Sequence, residues 1–261
     1  MSDASGAIAA LRASHDRLAA LVAPLTPEQR RAQAYPSQWS IAQVLSHLGS
    51  GAQIMALAFD AGLAGAPAPG REANQPIWDV WNAKTPDAQV ADGIESDRAL
   101  VTRFESLDQT QRESLKFPSF LGTVSADTLA RLRLGEHGVH TWDVAVALDP
   151  SAVIGAEAVP LILDGLDRIV HWTGKGQDLH VAVRVTTSDP QWSGLLTLGE
   201  KANLAPADEA VPEGFATAEL SLPAEAFIRL VYGRLDPDHT PASVSVQGID
   251  LDALRRAFPG F

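Results

Sequence analysis

The sequence contains no cysteine. Disulfides, thiolate metal ligands and a cysteine nucleophile are therefore excluded. Any thiol chemistry has to take its sulfur from a separate cosubstrate. Basic charge is also scarce: 20 Lys and Arg stand against 32 Asp and Glu, for a formal net charge of −12. Nucleic acid and anionic membranes are bound through clustered cations, so neither is an expected partner. No run of about 18 residues is continuously apolar, so no membrane-spanning helix is expected. The first residues show no basic segment followed by an apolar core. A secretory signal is thus not expected, and the expected location is cytoplasmic.

What remains is the composition of an ordinary folded protein. Hydrophobic residues make up 46% and charged residues 20%, which argues against wholesale disorder. A length of 261 residues suits two modest domains, each able to bury a core. The basic residues are 16 Arg and only 4 Lys, a bias typical of GC-rich coding such as that of actinobacteria.

Helical spacing dominates the first half. Residues 4–23 place Ile8, Leu11, Leu18 and Val22 on one side. Thr26-Pro27-Glu28 reads as a turn into a short helical piece. Ser40 and Gln43 form a capping box, flanked by Trp39 and Val44 as a staple, and predict a helix that runs to about residue 63. A Pro/Gly stretch over 64–76 predicts a loop long enough to act as a lid or binding loop. Apolar residues resume over 77–83, a third long helix fits 86–107, and 117–122 reads as a loop. A fourth helix fits 125–147. Four long helices predict a bundle over residues 1–150. Beyond Asp149-Pro150 the pattern changes. One helix fits 156–172, alternating runs at 180–185, 195–198, 216–222 and 243–246 predict strands, and short helices fit 223–232 and 249–257. Residues 151–261 therefore read as an α+β module with a mostly antiparallel sheet.

Chemistry concentrates in Gly135-Glu136-His137-Gly138-Val139-His140-Thr141-Trp142-Asp143. Glu136 and His140 are four apart and project from one helix face, where a carboxylate and an imidazole can chelate a divalent ion. Bundle interiors build metal sites from facing helices. His47 is the candidate third ligand, because it sits among Ile41, Val44, Leu45 and Leu48. Two His and one Glu with an open fourth position is a catalytic zinc arrangement. The same spacing also suits a plain Glu–His hydrogen bond. His137 points about 100° away round the helix and reads as solvent-facing. It is the substitute ligand if the helix is mis-phased.

The run W-S-I-A-Q-V-L-S-H-L-G at 39–49 resembles the first motif of the DinB-like metalloprotein superfamily. The stretch R-L-R-L-G-E-H-G-V-H-T-W-D-V at 131–144 resembles the second motif of one branch, the mycothiol-dependent maleylpyruvate isomerase family. Asn82 and the segment around Phe117–Gly122 resemble that family's middle region. Y-G-R-L at 232–235 and V-Q-G at 246–248 resemble its C-terminal domain, which is sterol-carrier-like. The resemblance implies a DinB-like four-helix bundle joined to a sterol-carrier-like α+β domain. It implies His47, Glu136 and His140 as ligands of Zn2+ or another divalent metal, with Trp39 and Trp142 structural. Asp143 and Arg234 are the candidate catalytic residues. Asp143 would orient a ligand imidazole, and Arg234 would grip a substrate carboxylate.

By the same resemblance the thiol cosubstrate is mycothiol, activated at the metal and attacking a small-molecule electrophile. The outcome would be cis–trans isomerisation or S-transfer. The alternatives are a metal-dependent hydrolase with Asp143 or His137 as general base, a non-catalytic small-molecule-binding protein, and a purely structural metal. A monomer and a homodimer both fit the sequence.

Overall fold

The computed structural model describes residues 4–67, 69–119, 121–176 and 179–260. By its contacts the chain divides into two compact units, Met1–Ala158 and Val159–Phe261.

The first unit is built on four long helices: α1 (Ala4–Val22), α3 (Ile41–Ala64), α5 (Pro86–Glu105) and α7 (Ala126–Val146). α3 packs on α5 and α1 on α7, and cross-packing of α1 with α5 and α3 with α7 closes the bundle. The short α2 (Pro27–Arg31) starts at a Thr26–Gln29 capping box. α3 starts at the predicted Ser40–Gln43 box, whose two bonds measure 2.8 and 3.2 Å. Leu18, Val22, Ile41, Val44, Leu45 and Val144 form the apolar centre, with Trp39 against it. At the far end Phe59 lies between Phe104 and Phe117, with ring centroids 5.2 and 4.9 Å away.

α3 and α5 approach closely because glycines face each other. A Cβ on Gly93 would fall 2.6 Å from the Leu45 carbonyl oxygen, and one on Gly49 would fall 2.9 Å from Gly93 Cα. The sequence charges both residues with a loss of helix propensity. The structure shows the return, a backbone approach that no larger residue permits. Gly49 also accepts the ring of Trp81, whose atoms would lie 2.2 Å from an added Cβ.

Several elements differ from the sequence reading. The loop at 64–76 ends early, because a short 3-10 turn at Arg71–Ala73 leads into α4 (Asn74–Asn82). Ala68 of that loop lies outside the described residues. The expected loop at 117–122 belongs to a hairpin of β1 (Lys116–Ser119) and β2 (Gly122–Ser125), with Gly122 at φ +90°. Phe120, between those strands, lies outside the described residues. α6 (Gln109–Ser114), capped by Asp108, precedes the hairpin.

In the second unit the single helix expected over 156–172 is two, α8 (Val159–Leu163) and α9 (Leu166–Thr173), broken at Asp164-Gly165. A five-stranded sheet follows, in the order β5-β4-β3-β6-β7. Its strands are β3 (Val181–Ser188), β4 (Trp192–Leu198), β5 (Ala202–Pro206), β6 (Ala216–Pro223) and β7 (Ser245–Gln247). The β3–β6 pair is parallel and the rest antiparallel. Inward residues alternate as a half-buried sheet requires: Val183 pairs with Leu196 on one side and Ala218 on the other, all buried. α10 (Ala224–Val231) is buried along its whole length. It tolerates Glu225 and Arg229 there because they pair bidentately at 2.7 and 2.8 Å. α11 (Leu251–Ala257) closes the unit.

The helix approach gives a contrast that denaturant unfolding measures. Gly93→Ala is expected to lower stability by about 1–3 kcal/mol through overpacking. Gly6→Ala, where an added Cβ meets nothing within 4 Å, is expected to raise it by up to about 1 kcal/mol. Equal responses at both positions would sink the close-packing account.

Candidate metal centre

The side chains of His47, Glu136 and His140 converge from α3 and α7. His47 Nε2 lies 3.4 Å and His140 Nε2 3.7 Å from the same oxygen, Oε2 of Glu136. All three donor atoms fall within 4.8 Å of one another. Zinc ligands at about 2.0–2.1 Å in tetrahedral array stand roughly 3.3–3.4 Å apart. The trio is thus spaced to hold one divalent ion with little movement.

Each member is fixed by its own surroundings. His140 is buried, and its Nδ1 lies 2.8 Å from Oδ2 of Asp143. With Nδ1–H donating to that carboxylate, the Nε2 lone pair is left facing Glu136. Burial pushes the His140 imidazole pKa down, against the opposing pull of Asp143. Neutral imidazole is the form that binds a metal. For Glu136, burial pushes the carboxyl up. The His47 hydrogen bond and the positive fields of His140, His47 and Arg133 overcome this and hold it at about 2. The His47 and Glu136 side chains remain 40% and 43% exposed. The trio is therefore buried on the His140 side and open on the other.

Trp39 lines the site in a way that motif reading missed. Its ring centroid is 5.0 Å from that of His47 and 5.9 Å from that of His140, nearly parallel to the latter. The two imidazoles meet edge to face at 4.6 Å. Trp39 thus acts as one wall of the site as well as a staple. Trp142, by contrast, is buried and donates from Nε1 to the Ala152 carbonyl at 2.8 Å.

The sequence reading of His137 as solvent-facing is wrong. His137 is fully buried, with Nδ1 2.8 Å from Ser14 Oγ on α1 and Nε2 2.9 Å from Asp97 Oδ2 on α5. Beside the partly exposed Glu136, α7 is covered nearly all round, so a step of 100° round the helix leads into a second interior surface. His15, Asp97 and His137 form there a second cluster of possible ligand atoms, wholly buried. The sequence offered one clue. His15 falls between Leu11 and Leu18 on the apolar stripe of α1, where a polar residue needs a buried partner.

The remaining candidates take different positions. Asp143 is fully buried and meets His140 rather than the open side. Arg234 belongs to the second unit. It is 8% exposed, and its Nη1 donates to the Tyr232 carbonyl at 2.7 Å.

Because His47 helps to hold the Glu136 carboxyl down, His47→Ala should raise that carboxyl from about 2 toward the ordinary glutamate range. Carboxyl-carbon NMR titration of the metal-free protein measures it. An unmoved Glu136 would show that His47 does not hold it.

Comparison with known proteins bears on the family and the fold. Residues 11–145 match the mycothiol maleylpyruvate isomerase N-terminal domain, and residues 156–255 match the C-terminal domain of the same family. No curated protein matches the chain. Two solved structures share the fold, a mycothiol-dependent maleylpyruvate isomerase and a histidine-to-alanine variant of it. Their TM-scores are 0.67 and 0.66, at 15% identity over 95% of both chains. With both domains matched in order along one chain, this protein belongs to the mycothiol maleylpyruvate isomerase family.

Proposed function

We propose that the protein is a metal-dependent enzyme that uses mycothiol to attack a small electrophile, as a cis–trans isomerase or an S-transferase. The observation that carries this is the half-open trio. His47, Glu136 and His140 present three donors to one point, and the side away from His140 stays accessible. Family membership supplies the thiol, which the cysteine-free chain cannot. A divalent ion bound there would acidify a thiol that reached its open position.

The chain's own residues perform the rest. His47, Glu136 and His140 would hold the ion. Asp143 keeps His140 in the tautomer that leaves Nε2 free to donate. Trp39 covers one side and limits water around the two imidazoles. For isomerisation, thiolate adds to one carbon of a conjugated cis-alkene acid, and the displaced π electrons pass into the conjugated carbonyl. Rotation about the new single bond and return of those electrons expel the thiolate and leave the trans alkene. For S-transfer, the carbon–sulfur bond remains. The hydrolase alternative is weakened by geometry. Its two candidate bases, His137 and Asp143, are fully buried and engaged with Ser14 and His140.

Metal analysis and thiol titration test the proposal together. The expected result is one metal per chain, lost in both His47→Ala and Glu136→Ala. Mycothiol should shift the visible spectrum of the cobalt-substituted protein. Metal binding should weaken in acid, and protons should compete for His140 Nε2 only below the ordinary imidazole range, because burial lowers that pKa. A metal site indifferent to mycothiol would sink the thiol reading.

Arg234 is proposed to hold a substrate carboxylate. Arg234→Lys is then expected to raise KM for an acidic electrophile with kcat little changed. A fall in Tm with unchanged KM would assign it a bracing role only.

A further inference from the structure

The second buried cluster poses a separate question. His15, Asp97 and His137 are 3%, 1% and 0% exposed, and Arg133 beside them is 3% exposed. Two oxygens of one carboxylate serve the whole group. Asp97 Oδ2 lies 2.8 Å from His15 Nδ1 and 2.9 Å from His137 Nε2, the latter poorly aligned for a hydrogen bond. Asp97 Oδ1 accepts from Arg133 Nη2 at 2.6 Å. The same Nη2 donates to the carbonyl of Leu48 at 2.8 Å.

These distances argue against a second metal. Donors around zinc stand roughly 3.3–3.4 Å apart, whereas Asp97 Oδ2 meets both imidazoles at hydrogen-bond separation. The guanidinium already balances the Asp97 charge, and a dication would add two uncompensated charges to a dry interior.

The placement of Arg133 gives it another task. Leu48 directly follows His47 on α3, and Arg133 lies three residues before Glu136 on α7, less than one turn away. One guanidinium nitrogen therefore joins the α3 backbone beside the first ligand to the α7 turn that carries the second. Asp97 anchors that nitrogen from α5. A planar guanidinium held by a buried carboxylate is a stiffer spacer than a flexible surface pair. Ser14 on α1 holds His137 Nδ1 at 2.8 Å and opposes rotation of α7 about its axis, while Thr141 on α7 itself approaches the same nitrogen at 3.3 Å.

We propose that Arg133, anchored by Asp97, is a positioning residue that sets the separation of His47 from Glu136 and His140. This rests on the metal reading above. Removing the arginine outright would strand a buried carboxylate, so the informative variant is Arg133→Lys. It keeps the charge near Asp97 but lacks the planar fork. The control is His15→Gln, which disturbs Asp97 from the α1 side and leaves the contact with Leu48 in place.

Three readouts on wild type and both variants decide the matter: metal affinity by chelator competition, the cobalt ligand-field spectrum, and crystal structures of the metal-free proteins. Arg133→Lys is expected to weaken metal binding by about 10–100-fold, to change the cobalt spectrum, and to widen the His47–Glu136 separation. His15→Gln is expected to lower Tm while leaving affinity and spectrum unchanged. If Arg133→Lys lowers Tm but preserves affinity, spectrum and separation, the network is purely structural and the proposal is overturned. A second metal per chain, lost in Asp97→Asn, would also overturn it. A wild type that binds no metal defeats the metal reading, and the metal-free separation still tests whether Arg133 sets the geometry.

Discussion

A helical bundle that turns ionisable groups inward has to partner each of them, because breaking a buried pair costs on the order of 3–5 kcal/mol. α7 imposes this demand more than any other element. Between Arg133 and Asp143 it carries two acids, two histidines and an arginine, and four of these five are buried. Each finds its counterpart on a different side. Asp97 takes Arg133, Ser14 takes His137, His47 takes Glu136, and Asp143 takes His140 within the helix itself. The rotation and depth of α7 are thereby fixed by polar contacts as much as by apolar packing. The position of the candidate metal centre is a consequence of that fixation.

The glycine contact between α3 and α5 serves the same end. Gly93 lies one turn before Asp97 on α5, and its lack of a side chain brings that helix against Leu45 of α3. The approach also lets Ser96 Oγ donate to the Gly49 carbonyl at 2.9 Å. Drawing α5 inward at this level places the Asp97 carboxylate where Arg133 and His15 can reach it. A reduced helix propensity at two positions thus supports a fully buried ion pair of the bundle. Local preference and tertiary packing disagree here, and packing decides.

Much of this was legible in the sequence, and the failures have physical causes. Capping chemistry is local, so the starts of α2, α3 and α5 follow from Thr26, Ser40 and Pro86 without knowledge of the fold. The spacing of Glu136 and His140 is equally local. His137 was misplaced because amphipathic reading assumes one buried face, and α7 is covered nearly all round. Residues 117–122, inside the hairpin at 116–125, read as loop because the strands are four residues each, too short for alternation to register. β5 was missed for a similar reason: Ala202–Pro206 contains no β-branched or aromatic residue, and its strand character comes from pairing with β4. Asp164-Gly165 did carry a break signal, which a continuous apolar pattern on either side concealed.

The two clusters on α7 show why residue type alone cannot assign a metal site. Both combine two histidines with one carboxylate, and both gather their donors within the same radius. They differ in spacing, charge and access. At His47, Glu136 and His140 the two imidazole nitrogens stand 3.4 and 3.7 Å from the Glu136 oxygen, and two of the three side chains stay near 40% exposed. At His15, Asp97 and His137 the separations are 2.8 and 2.9 Å, exposure is nearly nil, and an arginine already supplies the cation. The first arrangement leaves the carboxylate charge for an incoming ion and keeps one side exposed. The second has spent its charge on Arg133. Because Arg133 also grips the backbone beside His47, the closed cluster holds the open one in shape, and neither is fully described without the other.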